Sequence, residues 1–205
     1  MSNPALYSQY KRIRPHKIHA FGEGGDGKTY SLKRLPGPRL VIDFENGAWP
    51  YLADDDFYVI PDNTKDFADN IISATKRADV KTIVIDGFHS WWLRKHIEAA
   101  RKLAGNKSTE EGAELITKAH ESIWNTEAEI FCLELLKCPH HVLILQRGEA
   151  VKGNYGKIEG YRPVGTNIAQ YMMDVSYRFY REKRKGPDGF SFEYCRETVK
   201  ERKAE

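Results

Sequence analysis

Residues Gly22-Glu23-Gly24-Gly25-Asp26-Gly27-Lys28-Thr29 satisfy every fixed position of the pattern G-x-x-x-x-G-K-[ST]. Residues of these types at this spacing handle phosphate. Glycines let successive backbone N–H groups turn inward around phosphate oxygens. The lysine reaches the β- and γ-phosphates, and the hydroxyl after it serves Mg²⁺. Here Lys28 and Thr29 take those roles, and the run from Gly22 to Tyr30 is the candidate nucleotide contact. Asp26 adds a negative charge among phosphates, so it is expected to point outward. A chance glycine-rich turn is the plainer alternative. It is disfavoured because a β-prone run, 16–21, precedes the loop and a helical run, 28–35, follows it.

Acidic and amide residues stand directly after other apolar runs. Asp86 closes Thr82-Ile83-Val84-Ile85, the position of a Walker B aspartate, which holds Mg²⁺ directly or through a water. Asp43-Phe44-Glu45 closes Leu40-Val41-Ile42, and alternate residues of a strand share a direction. Glu45 is the candidate to polarise an attacking water. Gln146 closes the run from His141 to Leu145, where a neutral amide can sense a γ-phosphate and relay its loss to the next loop. The catalytic candidates are therefore Glu45, Lys28 and Gln146, the metal candidates Thr29 and Asp86, and the cofactors ATP and Mg²⁺. Plainer roles exist for each: a turn-opening aspartate, a surface carboxylate before Asn46-Gly47, a capping glutamine. His89 follows the Asp86 strand closely, within reach of nucleotide or DNA, but a surface or packing role is favoured for it. Packing is favoured too for Trp91, Trp92 and Trp124. Cys138-Pro139-His140-His141 lacks a partner pair at zinc spacing.

These groups require parallel strands to present them. Strands are expected at 16–21, 40–42, 57–60, 82–85 and 141–145, and helices at 28–35, 66–78 (capped by Asn63 or Thr64), 88–104 and 109–137. The alternation predicts an α/β domain with a mostly parallel sheet. Residues 174–183 and 190–195 read as an antiparallel hairpin about the turn Gly186-Pro187-Asp188-Gly189, followed by a charged tail, 197–205. Residues 148–166 contain five glycines and read as a long loop. Within it, Lys152, Tyr155, Lys157, Tyr161 and Arg162 interleave cations with rings. Such a mixture suits single-stranded nucleic acid: cations neutralise phosphates and rings stack on bases.

The chain has 205 residues, 40% of them hydrophobic, enough for one domain with a sizeable core. An arm, 1–15, is expected to precede a single domain, 16–205. No apolar run reaches the roughly 18 residues of a membrane helix. The start of the chain lacks a signal-peptide pattern, and three cysteines without paired spacing fit a reducing cytoplasm. The net charge of +3 conceals a distribution: +6 over 1–42, −7 over 43–146 and +4 over 147–205. Basic ends around an acidic middle point to a polyanionic partner.

The order of parts resembles the RecA-like P-loop recombinase ATPases. Those parts are the phosphate loop, a strand with Asp43-Phe44-Glu45, the Asp86 strand, a strand ending in Gln146-Arg147, a glycine-rich segment and a β-rich end. The small size is most similar to compact phage-encoded RecA-like proteins, including single-strand annealing ATPases of the Sak type. The resemblance implies a RecA-like core, ATP hydrolysis, action on single-stranded DNA, and a homo-oligomer, ring or filament. Gly87 departs from the serine common after the Walker B aspartate, and the extra DNA-binding domains of larger recombinases have no counterpart. The basic cluster from Arg181 to Lys185, with Arg196, Lys200, Arg202 and Lys203, fits DNA backbone, a neighbour's γ-phosphate or, equally, a plainly solvated hairpin tip. Two other readings remain: a P-loop kinase of a nucleoside or small metabolite, and a nucleotide-gated loader or adaptor without turnover.

Overall fold

Short apolar runs without polar alternation need cover on both faces of a sheet. The computed structural model describes residues 15–105, 108–186 and 189–201. Nearly all of the expected arm, with Asn106-Lys107 in the connection after the helix expected over 88–104, Pro187-Asp188 of the expected turn and the tail beyond Glu201, lies outside the described residues. The strands are β1 (Lys17–Gly22), β2 (Arg39–Asp43), β3 (Phe57–Val59), β4 (Thr82–Asp86), β5 (His141–Lys152), β6 (Ile158–Pro163), β7 (Val175–Gly186) and β8 (Gly189–Glu201). Their order is β3-β2-β4-β5-β1-β7-β8, with β6 paired to the outer half of β5. Neighbours from β3 to β7 are parallel, while β7–β8 and β5–β6 are antiparallel. The helices are α1 (Thr64–Ala74), α2 (Phe88–Ala104), α3 (Thr109–Glu114), α4 (Lys118–Lys137) and α5 (Ile168–Met172).

The alternation along each strand sorts the core into two. Leu40, Ile42, Ile83, Ile85, Val142 and Ile144 meet Phe67, Trp91, Phe131 and Leu135 of the helices. Val41, Val84, Leu143 and Leu145 face the other way, onto Leu32, Ala48, Tyr51 and Leu52. Full burial of one such side chain contributes about 1.5–3 kcal/mol. The second face is thus covered by short 3-10 segments, Thr29–Arg34 and Trp49–Tyr51, and not by α-helices. The helix expected over 28–35 is the first of these. It stops because Leu35 takes extended backbone (ψ 148°), as residues before proline do.

Asn63 caps α1 by accepting N–H bonds from Lys65 and Asp66. The expected helix over 109–137 is divided at Leu115–Thr117. The segment 148–166 is not the long loop expected. β5 runs on to Lys152 and pairs with β6, with Glu149 opposite Arg162. Val151, Ile158 and Tyr161 supply the β-propensity that the glycines obscured. The tail expected from Glu197 continues β8 as far as Glu201. Among the described residues no helix is long and apolar enough to cross a membrane.

Candidate functional site

Parallel register brings the carboxyl ends of β1, β2, β4 and β5 together. Asp43 stands opposite Asp86, Asp86 opposite Leu145, and Phe21 opposite Gln146. Ligands of open parallel sheets gather at such an edge. The phosphate loop leaves β1 there, with Gly25 and Gly27 at φ 80° and 83°, backbone that glycine adopts freely. Lys28 Nζ donates to the Gly22 and Glu23 carbonyls at 2.9 and 2.7 Å. Burial pushes the Lys28 ammonium below its usual pKa, against the pull of Asp26, Asp86 and Glu45. Thr29 Oγ1 donates to Asp86 Oδ2 at 2.9 Å. Burial, reinforced by the charge of Asp43, raises the Asp86 carboxyl to about 7.

Asp26 does not point outward. It is buried: Oδ2 accepts the Glu23 N–H at 2.8 Å, and Oδ1 pairs with Arg181 Nε at 3.0 Å. A carboxylate can turn into the loop because β7 delivers a guanidinium to meet it. Arg181, expected on an outer basic cluster, is therefore a neighbour of the phosphate loop.

Asp43 and Glu45 divide their work. Asp43 is fully buried and accepts N–H bonds from Glu45 and Ala48 at 2.9 and 2.7 Å, with the Tyr58 hydroxyl at 2.8 Å. It shapes the turn that carries Glu45. The Glu45 carboxylate lies 2.8 Å from His89 Nε2 and 3.1 Å from Ser90 Oγ. The His89 bond is the main cause holding the Glu45 carboxyl below its ordinary pKa. His89, for which a surface or packing role was favoured, is buried in the first turn of α2 against this carboxylate. Its place three residues after the strand-ending Asp86 was the available signal.

Gln146 is buried, and its Nε2 donates to the Val164 and Thr166 carbonyls at 2.6 and 2.7 Å. Its Oε1 lies 3.1 Å from His19 Nε2, and His19 Nδ1 lies 2.8 Å from Ser176 Oγ. Burial lowers the His19 pKa to about 4, so the ring is neutral. Gln146 thereby ties the return of the β5–β6 hairpin to β1. Lys152, Tyr155 and Lys157 are exposed around the hairpin tip, where Tyr155 takes φ 63°. Tyr161 and Arg162 lie lower on β6. The Arg178 guanidinium sits 3.4 Å from the centre of the Tyr161 ring, and Arg162 pairs with Glu149 at 2.8 Å.

A cleft of about 630 Å³ opens beside the loop, lined by Lys28, Thr29, Tyr30, Arg34, Tyr51, Tyr194 and Arg196 among others. Its volume suits a nucleotide-sized ligand. The cysteine–histidine stretch is structural. Lys17 Nζ reaches the Cys138 and His140 carbonyls at 2.9 and 2.8 Å, and His140 Nδ1 lies 3.1 Å from the Val80 carbonyl. Trp91, Trp92 and Trp124 are buried in the helical core as expected.

Phosphate loop, strand-end aspartate and parallel sheet together define a P-loop NTPase domain. The family description that matches residues 14–194 is that of an AAA domain, and the chain belongs to this ATP-binding and ATP-hydrolysing family. None of the curated proteins matches the chain.

Proposed function

We propose that the protein is a RecA-like, Mg²⁺-dependent ATPase acting on single-stranded DNA, in recombination or strand annealing. The observation that carries this reading is the 2.9 Å contact between the Thr29 hydroxyl and the Asp86 carboxylate at the mouth of the phosphate loop. Two hard oxygen donors, one a buried carboxylate whose pKa is driven upward, are the donor set that Mg²⁺ prefers. Thr29 and Asp86 would hold the ion, Asp86 directly or through a water. Bound Mg²⁺ offsets charge on the β- and γ-phosphates during transfer.

The remaining roles belong to the chain itself. Lys28 leaves the Gly22 and Glu23 carbonyls to meet phosphate oxygens. The backbone N–H groups from Gly24 to Thr29 enclose the phosphates, the Glu23 N–H being held by Asp26. Glu45, ionised and at the edge of the site, takes a proton from the attacking water. Tyr30, half-exposed on the cleft, and Tyr194, which also lines it, offer faces for the base.

Exposure of Lys152, Tyr155 and Lys157 on one hairpin tip supports the choice of single-stranded DNA, because rings stack on bases whatever their sequence. Gln146 binds the return of that hairpin and sits one strand from Asp86, which supports its role as the link between nucleotide state and DNA. The test is the ATPase rate with and without single-stranded DNA, with Lys28→Ala as control. Stimulation by DNA that vanishes in Lys28→Ala is expected. Turnover that instead requires a small phosphate acceptor would mark a kinase, and Lys28→Ala turning over normally would remove the site.

A further inference from the structure

Among the described residues, both polar contacts of the Glu45 carboxylate fall on one oxygen. Oε1 lies 2.8 Å from His89 Nε2 and 3.1 Å from Ser90 Oγ. The imidazole is itself fixed from behind, since the Arg147 backbone N–H donates to His89 Nδ1 at 3.1 Å. A ring that accepts at Nδ1 carries its proton on Nε2, so it donates to Glu45. The turn between them admits no other arrangement easily. Gly87 has φ 87°, and a Cβ there would fall 2.8 Å from Glu45 Cγ and 3.1 Å from Phe44 Cβ. Glycine is thus required where β4 passes into α2, so that the first turn of α2 closes onto Glu45.

We propose that His89 is the positioning residue of Glu45: it fixes the carboxylate through Oε1 and leaves Oε2 to receive the proton of the attacking water. The proposal rests on the reading of Glu45 as the hydrolytic base. The hydrogen bond also keeps the carboxylate in its proton-accepting form, since its loss removes the main influence lowering the Glu45 pKa. Arg147 opens the outer half of β5 that forms the hairpin, so one ring, 58 residues before Arg147 in sequence, joins hairpin and carboxylate.

The two bonds of the ring can be separated by substitution. In His89→Gln a side-chain amide near the Nε2 position keeps a donor for Glu45. In His89→Asn an oxygen near the Nδ1 position keeps the acceptor for Arg147 but cannot reach Glu45. Steady-state ATP turnover is expected to fall about 10–100-fold in His89→Asn, with KM for ATP within about 3-fold of wild type. His89→Gln is expected to recover most of the loss. If His89→Ala unfolds, the Gln and Asn pair still carries the comparison, with melting curves recorded for both. In a Glu45→Gln background, His89→Asn is expected to add less than about a 2-fold loss, because the residue acts through Glu45. Wild-type kcat in His89→Asn overturns the proposal, as does an undiminished loss in the Glu45→Gln background. Wild-type turnover in Glu45→Gln alone, with His89 intact, instead removes the reading of Glu45 on which the proposal stands.

Discussion

Two polar clusters lie on neighbouring strands, one buried and one half-open to solvent, and they differ in how far their demands are met. His19, Gln146 and Ser176 satisfy one another and the Val164 and Thr166 carbonyls, with every ring and amide nitrogen engaged. In the other cluster Asp86 and Lys28 hold charges that burial disfavours: the Asp86 carboxyl is raised to about 7 and the Lys28 ammonium is pushed down, while Thr29 is neutral and the His89 bond favours the charge on Glu45. A satisfied network makes a fold rigid, and an unsatisfied one is a place prepared for a ligand. The second cluster is where added charge, phosphate and metal together, relieves a cost that folding alone leaves standing.

The largest expected effect breaks the contrast at Asp86. Asp86→Asn should lower ATP turnover about 10³-fold. Meanwhile the melting temperature of the nucleotide-free protein in EDTA at pH 8 should rise by about 2–4 °C. A lower melting temperature would mean that Asp86 is a structural residue. Next comes Gln146→Ala, which strands two carbonyls and one histidine nitrogen in the interior. A loss of about 3 kcal/mol is expected, or a fall in Tm of about 6–12 °C by calorimetry. A fall under about 2 °C would show that this cluster does not hold the fold.

Acidity should act on the two clusters with opposite sign. His19 has a folded pKa near 4 against 6.5 ordinarily, so its stabilisation is present above pH 6.5 and lost toward pH 4. Asp86 runs from 3.8 ordinarily to about 7, so its contribution is favourable below pH 4 and lost as pH rises through 7. Between these limits the slopes largely cancel in the wild type. Urea unfolding of Asp86→Asn should then expose the His19 slope, with stability about 2 kcal/mol lower at pH 4.5 than at pH 7. An unchanged slope would contradict the assignment. Effects on stability are smallest at the hairpin. Arg162→Ala breaks an exposed ion pair with Glu149 and should cost about 0.2–1 kcal/mol. Tyr155→Ala should leave Tm unchanged and weaken single-stranded DNA binding about 10-fold, read by fluorescence anisotropy.

How legible each feature was follows from the distance its physics spans. The phosphate loop is contiguous, so Gly22 to Thr29 could be read directly. Asp86 could be found because an apolar run and the residue after it are neighbours in sequence. The pairing that turns Asp26 inward joins residues 155 positions apart, and nothing local announces Arg181. The bond that ties His89 to Arg147 is equally silent in sequence. The hairpin over 148–163 was hidden because glycines at 148, 153, 156 and 160 imitate loop composition, while its strands are held by cross-strand pairing. The cover of the second sheet face by 3-10 turns was hidden too: the run 28–35 and its stop before Pro36 could be read, but nothing local in it separates a 3-10 turn from an α-helix.

The most direct test of the central contrast is calorimetric titration of Mg·ATP into wild type and Lys28→Ala at pH 7.5, with melting curves of both. The account predicts that Kd rises at least about 10²-fold in Lys28→Ala while Tm stays within about 2 °C, because Lys28 serves the ligand and not the fold. Equal Kd values for the two proteins would contradict it.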